Sequence, residues 1–258
     1  MKMRIFDYIR NTFGKKKTID VKHLPSQGLF YPKNFKVQIK KATPEDIKSY
    51  TDGYDGKNVH SVLKKLKYVV ESNVILPCEY NFKHIKSIDV VFLFIEIVKF
   101  TKNKRVQISF FDDTTGNIEY VDFGPETFNY HIFDDYMWDN WDPIKRIINI
   151  NGYQLNMPTI GIENSLTNYL IEKSYNGDGA KYNEYNYNFT FFLDSKDVLK
   201  YDEIDNLIQI FNFDLDKEEM DKVNQAIEYI KPMQRYTLRV GNRIIDMGAK
   251  INLETIWD

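Results

Sequence analysis

The run Leu24-Pro25-Ser26-Gln27-Gly28-Leu29-Phe30-Tyr31-Pro32 limits this chain more than any other stretch. Pro25 and Pro32 fix φ and lack an amide hydrogen, so the run belongs neither in a helix interior nor in a central strand. Gly28 can take a positive φ. Leu24, Leu29, Phe30 and Tyr31 supply apolar bulk. A rigid, non-helical segment of this kind must bury its side chains against something. Two destinations suit it: the chain's own body, as an ordinary packed loop, or a partner, as a docking plug.

Downstream, Phe35, Val37 and Ile39 alternate with Lys36, Gln38 and Lys40 and read as a strand. Thr43 is a good N-cap, Pro44 a good first helical residue, and Glu45 and Asp46 suit a helix N-terminus. After a turn-rich break at Asp52-Gly53-Tyr54-Asp55-Gly56, a helical stripe runs through Val59, Val62, Leu63, Leu66, Val69 and Val70. Ser87 is placed to cap a strongly apolar helix reaching Phe100, the expected core of the first half.

These residues carry a resemblance. A Leu-Pro-Ser-x-Gly-x-x-Tyr-Pro run followed by a short strand and then helices resembles the N-terminal signature of the T4-type bacteriophage baseplate hub family, which groups hub subunits with hub assembly proteins. In that family an Asp begins a long apolar helix, and Asp89 of Ile88-Asp89-Val90-Val91-Phe92-Leu93-Phe94-Ile95-Glu96 stands where it should. The resemblance covers residues 24–110. The Cys-x-x-Cys pairs that the family often carries after that helix are absent here, so no metal knuckle is implied. What the resemblance implies is a structural or assembly protein of a contractile-tail baseplate hub. It would be present in the host cytoplasm during assembly and in the virion if retained. Other baseplate and tail proteins would be its partners, in a multi-copy assembly. On that reading Leu24, Pro25, Gly28, Phe30, Tyr31 and Pro32 are partner-binding, with Tyr31 a buried anchor.

The net charge of −2 hides a division. Residues 1–110 hold 22 Lys and Arg against 10 Asp and Glu, a balance of +12; residues 111–258 hold 13 against 27, a balance of −14. Such asymmetry points to partners, to head-to-tail contact, or to two faces attracting each other within one fold. A nucleic-acid-binding protein using the basic half is the alternative function, although no recognition motif accompanies the charge.

Residues 1–13 read as an amphipathic helix with Ile5, Phe6, Ile9 and Phe13 on one face, stopped by Gly14 and followed by Lys15-Lys16-Lys17. This basic arm, residues 1–17, suits a partner's groove, a membrane surface, a nucleic acid, or its own domain. Stable membrane insertion is not expected. Val90 to Val98 falls short of the roughly 18 apolar residues a span needs and is broken by Glu96.

Residues 111–142 contain no Lys or Arg, nine Asp and Glu, and nine aromatics, among them Trp138 and Trp141. Acids that steer and aromatics that bury suit a basic protein partner, so Trp138 and Trp141 join the partner-binding set. The pairs Asp112/Asp113 and Asp134/Asp135 have no metal-ligand spacing. Asp214-x-Asp216-x-Glu218 begins like a calcium loop, but Glu219 stands where Gly is needed and Gln225 where a bidentate Glu is needed. His23, His60, His84 and His131 are scattered, and Cys78 is the single cysteine. No internal disulfide, thiolate cluster, metal, cofactor or catalytic motif is expected, and synthesis in a reducing cytoplasm is the natural reading.

The remaining chain reads as mixed elements. Val106, Ile108 and Phe110 alternate, as do Ile118 and Tyr120, giving a hairpin. Pro158-Thr159-Ile160-Gly161 echoes Pro25-Ser26-Gln27-Gly28 and leads into a helix from about Glu163 to Lys173. Ser174 to Asn188 lacks periodicity; Phe189 to Leu193 reads as a short strand; Asp202–Phe211 and Asp216–Ile230 read as helices. Gly241-Asn242 joins the clearest hairpin, Tyr236–Val240 with Arg243–Met247. The fold class is α+β, helices mixed with short antiparallel hairpins. The arm is followed by a basic half (18–110) and an acidic half (111–258), or by one continuous domain.

Overall fold

The computed structural model describes residues 18–52, 59–112, 115–124, 126–128, 130, 131, 133–175, 187–193, 201–210, 214–235, 237–246, 251–253, 256 and 257. Ile5, Phe6, Ile9 and Phe13 of the N-terminal arm lie outside the described residues.

Strands β1 (Thr18–Val21), β2 (Val37–Lys40) and β3 (Val74–Ile75) form an antiparallel sheet in the order β1-β2-β3. Helix α1 (Pro44–Thr51) starts where its chemistry dictates. The Asp46 N–H donates to Thr43 Oγ1 at 3.2 Å while Asp46 Oδ2 accepts from the Thr43 N–H at 2.8 Å, so each residue satisfies the other's free amide. Helix α2 (Val59–Asn73) runs directly into β3. Helix α3 (Val90–Lys102) buries Val90, Phe92, Leu93, Phe94, Ile95, Ile97 and Val98 and stops at Asn103, whose φ of 54° is left-handed. A helix apolar on so many sides belongs in a protein interior. The main core forms around it.

Strands β4 (Val106–Asp112) and β5 (Asn117–Phe123) pair over their whole length, and β11 (Ile251–Asn252) pairs with the other edge of β4. Val106, Ile108 and Phe110 are buried as their alternation predicts. Helix α4 (Asp135–Asp139) precedes a small sheet of β6 (Trp141–Asp142), β7 (Ile147–Ile150) and β8 (Tyr153–Leu155). Helices α5 (Ile160–Tyr175), α6 (Tyr201–Gln209) and α7 (Lys217–Ile230) follow, then the two-stranded β9 (Thr237–Val240) and β10 (Arg243–Asp246). The fold is α+β, with antiparallel sheets of two or three strands.

Two large cores divide the apolar residues, and neither respects residue 110. The main core joins Leu24, Tyr31 and α3 to Phe123, Phe128, Ile160, Leu238 and Leu253. The second joins Phe30 and Ile88 to Phe133, Met137, Leu155 and Ile227. The two oppositely charged halves are therefore interleaved through both cores.

One expected strand is a helical turn instead. Phe189–Phe192 form a 3-10 turn. In a strand, Phe189 and Phe191 would share a face. Here Phe191 enters the second core and Phe189 a third, smaller one with Leu166, Tyr169 and Ile204, a divergence that a turn provides and a strand does not.

Candidate docking interface

Leu24 to Pro32 is a chain of reverse turns. The Gln27 N–H donates to Leu24 O at 2.8 Å and the Leu29 N–H to Ser26 O at 3.1 Å. Gln27 and Gly28 both have positive φ, 54° and 70°, the sign pattern of a type I′ turn. Gly28 answers a backbone demand and not a crowded one, because nothing lies within 4 Å of where its Cβ would stand.

The turn is fastened to the start of α3. Asp89 Oδ1 accepts from the Ser26 N–H at 2.8 Å, and Oδ2 accepts from Ser26 Oγ and from the Tyr31 hydroxyl, each at 2.8 Å. That hydroxyl accepts in turn from the Lys86 N–H at 2.6 Å. The Tyr31 ring stacks on Phe35 with centroids 4.0 Å apart. Asp89 stands at the N-cap position of α3, but its φ of −84° and ψ of −13° are already helical and its carboxylate makes no cap bond there. It spends its lone pairs on the turn, and Ser87, expected as the cap, lies inside a 3-10 turn spanning Ser87–Asp89. Burial pushes the Asp89 carboxyl up to about 6, against the downward pull of the Ser26 and Tyr31 hydrogen bonds and the Lys86 charge.

Three residues before Asp89, Lys86 does the same for the second Pro-x-x-Gly segment. Its ammonium is fully buried and donates to Asn156 Oδ1 at 2.9 Å and to Met157 O at 3.0 Å. The backbone joins in: the Ser87 N–H donates to Pro158 O at 3.0 Å and the Ile160 N–H to Ile85 O at 2.9 Å. A Cβ on Gly161 would stand 3.1 Å from Lys83 Cβ and 3.2 Å from Lys83 O, so this glycine permits close approach. Residues 85–89 thus hold two loops, beginning at Pro25 and Pro158 and so 133 residues apart, one through a buried anion and the other through a buried cation.

The partner-binding set is redistributed accordingly. Leu24, Pro25, Phe30 and Tyr31 are buried within the chain. Expected as partner anchors, they pack inside the chain: Leu24 and Tyr31 join the main core and Phe30 the second, and the Tyr31 hydroxyl bonds Asp89 and Lys86. Gly28 is half-buried and Pro32 exposed. Trp141 is half-buried between Phe30 and Phe133, at ring distances of 5.3 and 5.9 Å. Trp138 stays 48% exposed while its ring touches Phe133, and beside it the exposed Tyr136 meets Tyr229. With Asp134, Asp135 and Asp139 also exposed, α4 presents the acidic-aromatic surface that the composition points to.

Four of the carboxylates singled out have structural partners. Asp134 accepts from the Met137 N–H and Asp216 from the Glu219 N–H as helix caps. Asp112 is buried against Arg243, and Glu218 pairs with Lys222. Among the described residues, no three His, Cys, Asp or Glu side chains are grouped to hold a metal ion, and no helix is long and apolar enough to cross a membrane. Asp113 lies outside the described residues. Sequence reasoning missed Lys86 altogether; a lone Lys between Ile85 and Ser87, at the mouth of an apolar helix, was the available signal.

Comparison of the chain with protein-family models, with curated proteins and with solved structures found no match.

Proposed function

We propose that this chain is a structural or assembly protein of a contractile-tail phage baseplate hub that works by protein–protein docking, without catalysis. What supports the reading is the convergence of Ser26, Tyr31 and Asp89. The first two belong to the Leu-Pro-Ser-x-Gly-x-x-Tyr-Pro run, the third opens the apolar helix, and together they make one buried unit. A turn fastened in this way serves as scaffold, so the contacts to partners fall to exposed surface, above all the half-exposed aromatics of α4 with their flanking acids. The protein acts in the host cytoplasm during assembly and stays in the tail baseplate if retained.

Mass spectrometry of purified virions and of tail-assembly intermediates tests the proposal. Peptides of this chain in either fraction, co-purifying with hub proteins, are the expected result. The rival reading is a nucleic-acid-binding protein that uses the basic half. DNA affinity falling steeply with salt, together with absence from both fractions, would favour that rival.

A further inference from the structure

The hairpin of β4 and β5 has an unusual outward face. Phe111, Ile118 and Tyr120 are 48%, 62% and 67% exposed. Phe111 and Ile118 are direct cross-strand partners, and Tyr120 is two residues along the same face of β5. The three make one contiguous apolar stripe. Among the described residues β5 pairs only with β4, so its other edge has no strand partner. A long edge strand with an apolar exposed face is what folded proteins blunt or cover.

The sequence of β5 suits a second copy of itself. Even-numbered residues face outward, so in an antiparallel pair related by a two-fold axis only slides of two residues keep the apolar face on one side. With Tyr120 opposite the second copy's Tyr120, all seven residues from Asn117 to Phe123 find a partner. Ile118 then faces the second copy's Asp122, and Glu119 its Val121. No like charges meet. Sliding two residues one way sets Glu119 against Glu119; sliding the other way leaves Asn117 and Ile118 with nothing opposite. Both acids also have partners within their own chain, although Glu119 shares its cation with Asp112. Glu119 is held by Arg243 at 2.9 Å, and Asp122 by Arg105 at 3.3 Å and Gln107 at 3.0 Å.

We propose that the open edge of β5 is a self-association surface through which two copies pair antiparallel about Tyr120, joining two three-stranded sheets into one of six. Two-fold pairing of identical edges is the simplest closed assembly, and strand addition supplies backbone hydrogen bonds on top of the apolar stripe. The inference rests on this strand alone and stands or falls independently of the hub reading.

Cysteine cross-linking of the full chain in a Cys78→Ser background reads the register directly. Tyr120→Cys places two thiols directly opposite, with Cα atoms about 4.5–5.5 Å apart, inside disulfide range. It should give a covalent dimer under mild oxidation. Ile118→Cys puts the same residues about 13 Å apart along the strand and should give no covalent dimer, whereas Ile118→Cys with Asp122→Cys should cross-link. Wild-type protein should sediment as a dimer at high concentration. Tyr120→Glu, at an exposed position, should weaken association by up to about fivefold by opposing two like charges. Failure of Tyr120→Cys to cross-link, or equal cross-linking of Ile118→Cys and Tyr120→Cys, would overturn the proposal. So would unchanged association of Tyr120→Glu.

Discussion

The hydroxyl of Tyr31 donates to Oδ2 of Asp89 at 2.8 Å, across 58 positions of chain. The Tyr31 hydroxyl oxygen in turn accepts from the Lys86 N–H, so one phenol closes the gap between the two charged residues that hold the loops. The whole arrangement is buried, where a hydrogen bond is stronger and its loss more costly than at the surface.

Tyr31→Phe keeps the ring on Phe35 and removes only the hydroxyl. It takes a donor from a buried carboxylate and an acceptor from a buried amide, a loss of about 1–3 kcal/mol. For a chain of this length that lowers the melting temperature by roughly 2–6 °C. Scanning calorimetry of the two proteins measures it. A melting temperature within a degree of wild type would mean that the hydroxyl bonds are replaced by water and that Tyr31 acts through its ring alone.

The Asp89 carboxyl, pushed up to about 6 by burial, makes stability depend on pH in a defined direction. Between about pH 4 and 6 the folded protein keeps a proton that the unfolded chain has released. The contribution of this group is therefore fully present below about pH 4 and is lost as the pH rises to 6, by an amount on the order of 3 kcal/mol. The stability difference between wild type and Asp89→Asn should accordingly move against wild type as pH rises from 4 to 7. Urea unfolding of both proteins at several pH values gives that difference. A flat difference, or one moving in favour of wild type, would show a carboxylate ionised throughout.

Lys86 pulls the Asp89 carboxyl downward, so removing its charge should push the carboxyl higher still. Lys86→Met retains much of the volume and loses the bonds to Asn156 and Met157. In this variant the pH at which the Asp89-linked stability is lost should move up, as read from the same urea series with Lys86→Met and Lys86→Met/Asp89→Asn. An unmoved window would mean that the two charges do not sense each other, and that the cation matters only for the loop it holds.

What was legible in the sequence is mostly local. Thr43-Pro44-Glu45-Asp46 specifies a helix start through groups three residues apart, and the reciprocal bonds are present. Gly241-Asn242 sits at the two-residue turn between β9 and β10, where Val240 pairs with Arg243. The clasp was not legible as such. Asp89 could be placed at a helix start, but a carboxylate there can cap its own helix or reach elsewhere, and its partner Ser26 lies 63 positions away. The facing of β5 was ambiguous for a different reason. Ile118 and Tyr120 lie on one face and Val121 and Phe123 on the other, both apolar, so alternation alone cannot say which is buried. Phe189-Thr190-Phe191-Phe192 misled because β-forming residues in a short run carry no record of the two cores that they enter.

The two Pro-x-x-Gly segments look alike, yet their glycines answer different demands, and substitutions should separate them. Gly28 has a φ of 70° with open space around it. Ala there costs about 1–2 kcal/mol for the left-handed backbone, and Asn, which tolerates that region, should recover much of the loss. Gly161 has an ordinary φ, but its Cβ would press on Lys83 Cβ and on the Lys83 carbonyl oxygen. Part of that contact is backbone and cannot swing away, so Ala destabilises by crowding the junction with residues 82–84, and the larger Asn should be worse than Ala. The order of stability expected from thermal unfolding is therefore Asn above Ala at position 28 and Ala above Asn at position 161. The same order at both positions would mean that a single constraint, backbone shape or space, governs both loops, and that their different attachment to residues 85–89 has no energetic consequence.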